Sequence, residues 1–202
     1  DGNVIEASSD TENIEETVAG VLEEADPVSP LAREARANKT VVICAGHDAT
    51  HTGASGNGLK EEELTFKVAQ YCKQALEQYQ GVTVYMDRDS ISCKYPGQST
   101  SYCLNQRIKD AAALGATVFV DIHFNTGGGT GAEVYYPNKS YNEGIHQEGQ
   151  NLANKILSEL SALGLTNRGA KIKDGTTGET DPNGNKDDYF TTNYLSKQYG
   201  MT

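Results

Sequence analysis

Basic residues are scarce: 17 Lys and Arg stand against 28 Asp and Glu in 202 residues, a formal net charge of -11. A polyanionic partner needs a basic face, so nucleic acid is not an expected ligand. Long apolar runs are missing too, none approaching the roughly 20 residues that a membrane-spanning helix needs. No CxxC pair occurs among the four cysteines, which argues against a zinc knuckle. Cys93 and Cys103 flank a short polar stretch, KYPGQSTSY. A disulfide and a pair of thiols are equally open there, because a bridge depends on a Cα separation that spacing does not give. Cys44, in an apolar run, and Cys72, in a helical one, read as buried thiols.

The length suits one domain plus a tail, and a domain of about 150 residues buries roughly two thirds of its unfolded surface. Residues 1–38 are acidic and helix-prone, then broken by Pro27 and Pro30, and read as an appended helix and linker. Several glutamates on that helix leave a second reading, an autoinhibitory plug. Residues 39–202 alternate short β-branched runs with longer helical ones, the pattern of an α/β layer architecture. TVVICA, VTVYMDR, TVFVDIH and GAEVYY read as strands. EEELTFKVAQYCKQALEQY, SYCLNQRIKDAAALG and YNEGIHQEGQNLANKILSELSALG read as helices, the last ending at a capping glycine. The stretch 165–186 is rich in Gly, Thr, Asn and Asp and reads as an extended loop before a final helix, DDYFTTNYLSKQY. The expected fold is α/β: a twisted, mostly parallel central sheet with helices on both faces. In such sheets ligands gather at the carboxyl ends of strands.

Two histidines fall at such ends, His47 in AGH and His123 in VFVDIHFN. A carboxylate opens the helix after GNGLK, where Glu61, Glu62 and Glu63 are all available. Each has an ordinary explanation: a hydrogen-bonded strand terminus for each histidine, the helix dipole for the glutamates. Their coincidence on one sheet edge points instead to a metal site. Two neutral imidazoles and one carboxylate suit a catalytic zinc ion, Zn2+, and leave one coordination position open. His51 and His146 read as surface residues, with His51 near enough in sequence to His47 to compete for metal. The acidic loop 174–188, DGTTGETDPNGNKDD, offers oxygen donors for calcium but departs from EF-hand spacing, and reads as a solvated loop on the substrate side.

The AGH turn, the Gly53–Gly58 region leading to GLKEEELTFKVA, the block LNQRIKDAAALGATVFVDIHFN, and GAEVYY together resemble the zinc-dependent N-acetylmuramoyl-L-alanine amidases of the Amidase_3 type. The resemblance covers about residues 40–202. It implies a phosphorylase/hydrolase-like amidase fold, a peptidoglycan substrate, secretion or cell-wall location, and cleavage of the amide between N-acetylmuramic acid and L-alanine. It places the metal ligands on His47, Glu61 and His123, and selects Glu61 because Gly58, Leu59, Lys60, Glu61 match a Gly-Leu-x-Glu pattern. Asn125 matches an HxN motif with a role in orienting substrate or bracing the loop, and Arg107 matches a recurrent arginine expected in a structural ion pair. The resemblance also implies a general-base glutamate on a last strand beyond Thr202. The expectation is that the natural protein continues and that the chain as given is weak or inactive. Glu133 is the internal candidate for that base. Two rival readings remain: a zinc carboxypeptidase acting on stem peptides, and a catalytically dead peptidoglycan-binding module.

Overall fold

The computed structural model describes residues 38–125, 129–176 and 180–202. The helix and linker expected over residues 1–38 lie, but for Asn38, outside the described residues. Strand β1 (Lys39–Ala45) is the centre of a three-stranded sheet, flanked by β4 (Val82–Met86) and β5 (Val118–Ile122), both parallel to it. Alternation along β1 sends Val41, Ile43 and Ala45 to one face and Val42 and Cys44 to the other, and both faces are covered. Helix α1 (Glu61–Leu76) packs Ala69, Phe66 and Cys72 on the first face. Helix α2 (Thr100–Ala113) packs Ile108 and Ala111 on the second. The expected architecture is therefore observed, a parallel sheet between helical layers.

Two details sharpen the sequence reading. Between β1 and α1 the chain makes a small hairpin, β2 (Ser55–Gly56) and β3 (Leu59–Lys60), turned on Asn57 and Gly58 at φ 52 and 77. Positive φ at both central residues is the type I′ geometry that Asn-Gly favours. The stretch 165–186 is not all loop. It contains β7 (Asn167–Lys171), which pairs in parallel with β6 (Ala132–Tyr135) beneath helix α3 (Glu143–Ala162). The polar sequence NRGAK forms a strand because β6 offers a partner edge, a tertiary cause that composition does not carry.

The final helix, α4 (Thr191–Gln198), is followed by Met201, which is fully buried against Val42, Cys44, Ile108 and Ala111. The next residue joins the edge of β5 opposite β1: the Thr202 amide donates to Thr117 O at 3.0 Å and the Phe119 amide to Thr202 O at 2.8 Å.

Candidate metal centre and its cavity

The carboxyl ends of β1 and β5 bring the candidate ligands together. After Ala45 the chain turns through Gly46, where an added Cβ would lie 2.5 Å from Ile122 O and 2.6 Å from His123 Cε1. His47 follows with φ 63, the left-handed region that costs a non-glycine residue about 1–2 kcal/mol. That conformation aims the imidazole back at the sheet edge. Its Nδ1 faces His51 O at 3.2 Å. A carbonyl only accepts, so the proton sits on Nδ1 and Nε2 keeps its lone pair.

Glu61 arrives from the first turn of α1, and Thr65 one turn later donates to Gly46 O at 2.6 Å, fastening the helix to the β1 turn. The Glu61 carboxylate is 6% exposed and accepts from the Ala54 amide on Oε2 and the Phe124 amide on Oε1, each at 2.9 Å. Burial works against its ionised form. Those two amides, with the His47 and His123 imidazoles, outweigh burial and hold the carboxyl below its ordinary range. Its Oε1 lies 3.3 Å from His47 Nε2 and 3.1 Å from His123 Nδ1, and the two rings meet edge to face with centroids 4.8 Å apart. His123 Nε2 lies 3.4 Å from Asp121 Oδ1, a buried oxygen without a hydrogen-bond partner among the described residues. Burial lowers the His123 pKa, but Asp121 and then Glu61 more than reverse this and push it up to about 9.

One donor atom from each of His47, Glu61 and His123 lies within 4.8 Å of the others. Ligands about 2.1 Å from a tetrahedral ion stand roughly 3.4 Å apart, close to the separations across Glu61 Oε1. The donor set and its spacing fit a zinc ion. Glu62 and Glu63 go elsewhere: Glu62 Oε2 accepts from the Gly53 amide at 3.3 Å, and Glu63 pairs with Lys60 at the surface. Asn125 is exposed two residues past His123. Glu133 is bound by Lys171 at 2.6 Å and Arg168 at 3.4 Å, and Lys171 above all holds its carboxyl below the ordinary range.

Behind the ligands lies a buried ion network. Arg107 contacts Asp48 Oδ2 at 2.6 Å and Asp87 Oδ2 at 3.1 Å. Asp87 in turn accepts from the Ala45 amide, so the network braces the end of β1. Asp48 and Asp87 had no sequence signal beyond their positions at strand ends. His51 is not a surface residue. Its side chain is 15% exposed, with Nδ1 at 3.2 Å from both Asp48 oxygens and Nε2 at 3.1 Å from Gln98 O. His146 is half-buried, with Nδ1 against Pro137 O at 2.9 Å. The acidic loop is not simply solvated either. Asp181, Asp187 and Asp188 are buried, and the Lys197 ammonium sits among Asn138, Ser140, Asp187 and Asp188. Lys197 thus occupies the centre that a calcium ion would have needed.

A cavity of about 380 Å³ opens beside the candidate ligands, and His47, His123, Tyr189 and Phe190 are among the residues that line it. Lys173 caps the Tyr189 ring at 3.6 Å, and Phe190 packs edge-on against Tyr135.

Residues 41–193 match the family model described as N-acetylmuramoyl-L-alanine amidase. Among curated proteins, the N-acetylmuramoyl-L-alanine amidase CwlM of Bacillus licheniformis is 38% identical over 115 residues, 54% of this chain. The sporulation-specific N-acetylmuramoyl-L-alanine amidase of Bacillus subtilis (strain 168) is 37% identical over 115 residues, also 54% of this chain. The matches span 42% of the length of each of these two relatives. Among solved structures, the catalytic domain of CwlV, an N-acetylmuramoyl-L-alanine amidase from Bacillus (Paenibacillus) polymyxa var. colistinus, is 30% identical. It superposes with a TM-score of 0.52 over 65% of this chain and 68% of that one.

Proposed function

The chain belongs to the N-acetylmuramoyl-L-alanine amidase family, Amidase_3, and from that premise we propose that it hydrolyses the amide between N-acetylmuramic acid and the L-alanine of the stem peptide in peptidoglycan. The observation that carries this reading is the convergence of His47 Nε2 and His123 Nδ1 on Glu61 Oε1, at 3.3 and 3.1 Å, beside an open cavity. These three residues would hold zinc. Bound there, the ion would supply Lewis-acid activation of water and of the scissile carbonyl near neutral pH.

The protein's own groups prepare that chemistry. His51 O fixes the His47 tautomer, and the Ala54 and Phe124 amides keep Glu61 ionised and in place. Asp121 stands behind His123 and orients its ring. Tyr189 and Phe190 line the same cavity and give a sugar or peptide an apolar surface to lie on. Asn125, exposed beyond His123, contacts substrate.

For the proton taken from water and passed to the leaving amine, Glu61 is committed to the ligand cluster and Glu133 is tied to Lys171. Neither is available as the general base. A positioned general base contributes about 10²–10⁴ in rate. Action at the cell wall, outside the cell, follows from the substrate.

The test is stem-peptide release from purified peptidoglycan by this chain, loaded with zinc and stripped of it, with product analysis. Release of peptides with a free L-alanine amino terminus, lost when the zinc is removed, is the expected result. Cleavage within the stem peptide would make the protein a carboxypeptidase instead. Binding without release by the zinc-loaded protein would make it a binding module.

A further inference from the structure

A second cluster of soft ligands borders the same cavity, which His51 and Cys103 help to line. The 93–103 loop brings Cys93, half-buried, back against Cys103, 2% exposed on the first turn of α2, with their Sγ atoms 3.6 Å apart as free thiols. His51, from a loop 42 residues before Cys93, joins them, with one donor atom from each of the three within 4.8 Å of the others. We propose that His51, Cys93 and Cys103 form a second metal site, for a thiophilic divalent ion such as zinc, separate from the His47, Glu61 and His123 centre.

Three features favour a metal over an incidental cluster. The first is spacing: with metal–sulfur bonds of about 2.3 Å, two thiolates of a tetrahedral site stand roughly 3.8 Å apart, near the observed 3.6 Å. The second is orientation. His51 Nδ1 faces both oxygens of Asp48, which Arg107 and the Thr50 and His51 amides hold in place. A carboxylate behind one imidazole nitrogen directs the other, Nε2, toward a metal. Nε2 now faces Gln98 O, within the same loop, and loading exchanges that contact for the ion. The third is the Tyr95 amide, which donates to Cys93 Sγ at 3.4 Å and fixes the position of that sulfur.

The chemistry balances without any oxidant. A divalent ion binds and displaces the proton that His51 Nε2 directs at Gln98 O, the two thiols each release a proton to solvent, and two thiolate charges neutralise the ion. In the metal-free protein the Cys103 thiol donates to Tyr95 O, and burial followed by the neighbouring Cys93 pushes it up to about 11. Two thiolates and an imidazole are softer than the two imidazoles and carboxylate of the first centre, so thiophilic ions prefer this second site. His51 and Cys103 line the cavity together with His47 and His123, so an ion there would pin the 93–103 loop beside the reaction site.

The test is cobalt(II) titration of the full chain, reduced with a phosphine, at pH 8. Two equivalents are expected, one of them with a thiolate-to-cobalt charge-transfer band. Cys93→Ser, at the half-buried position, should lose that band and one equivalent while circular dichroism stays native. His51→Gln should weaken the same equivalent at least tenfold and leave the other in place. A single equivalent without the band would overturn the proposal. So would mass spectrometry showing Cys93 joined to Cys103 in protein purified with zinc and without reductant.

Discussion

Gly53→Ala is expected to cripple metal binding while leaving the fold standing. A Cβ at residue 53 would lie 2.5 Å from Glu61 Oε2, 2.6 Å from His47 Cδ2 and 2.8 Å from Glu61 Cβ. The first of these is about 1 Å inside the 3.4 Å at which ordinary contact begins. Glu61 is fixed by two backbone amides and the helix start, and His47 by its own left-handed backbone, so neither yields freely. Overpacking of this kind costs roughly 1–3 kcal/mol of stability. Displacing a ligand by a substantial fraction of an ångström should weaken metal binding about 10- to 100-fold, the scale seen when ligand orientation is lost. Gly56→Ala is the matched control: it sits in the same hairpin region, and its added Cβ meets nothing within 4 Å. Competitive zinc titration against a chelating dye, with urea denaturation of both variants, reads the two effects. Equal zinc affinity in Gly53→Ala and Gly56→Ala would refute the claim that Gly53 is a glycine because the ligands need its space.

Further predictions address the supporting groups. Asp121→Asn should weaken zinc binding about 10- to 100-fold with little change in the denaturation midpoint, since Asp121 orients His123 rather than filling the core; calorimetry checks this. Lys197→Met leaves two buried carboxylates without their cation and should cost about 3–5 kcal/mol in urea, with an unchanged slope. Because the His123 pKa is raised, to about 9, its charged form adds stability to the metal-free chain. That contribution is fully present below the unfolded value of about 6.5 and lost as pH rises through 9. Metal-free His123→Gln should therefore lack the wild-type loss of stability between those limits. Zinc displaces the same proton, so zinc affinity should climb with pH across that window and level off above it.

The main α/β layout was legible because its signals are local. Apolar β-branched runs produced β1, β4 and β5, and helical periodicity produced α1, α2 and α3, with errors of a few residues at the ends. Strand β7 was not legible, because NRGAK is polar and becomes a strand only when α3 carries it back to β6. The β2–β3 hairpin had a readable sign in Asn57-Gly58 that the coarser reading passed over. The convergence of the candidate ligands was accessible because histidines ending apolar strands and a carboxylate opening a helix are sequence-visible, although the choice of Glu61 over Glu62 rested on resemblance. Side chains whose partners lie far along the chain stayed hidden. Arg107 meets Asp48 across 59 residues, Asp188 meets Asn138 across 50, and His51 reaches a loop that no spacing rule ties to it. Composition marks such groups as polar and surface-like, and only folding reveals that they are buried in pairs.

The central claim is a metal held between His47, Glu61 and His123, and the most direct measurement is an anomalous difference map at the zinc edge from crystals grown with zinc. The account predicts a peak about 2.0–2.2 Å from His47 Nε2, His123 Nδ1 and Glu61 Oε1. A zinc-loaded crystal with no peak at that position would contradict it.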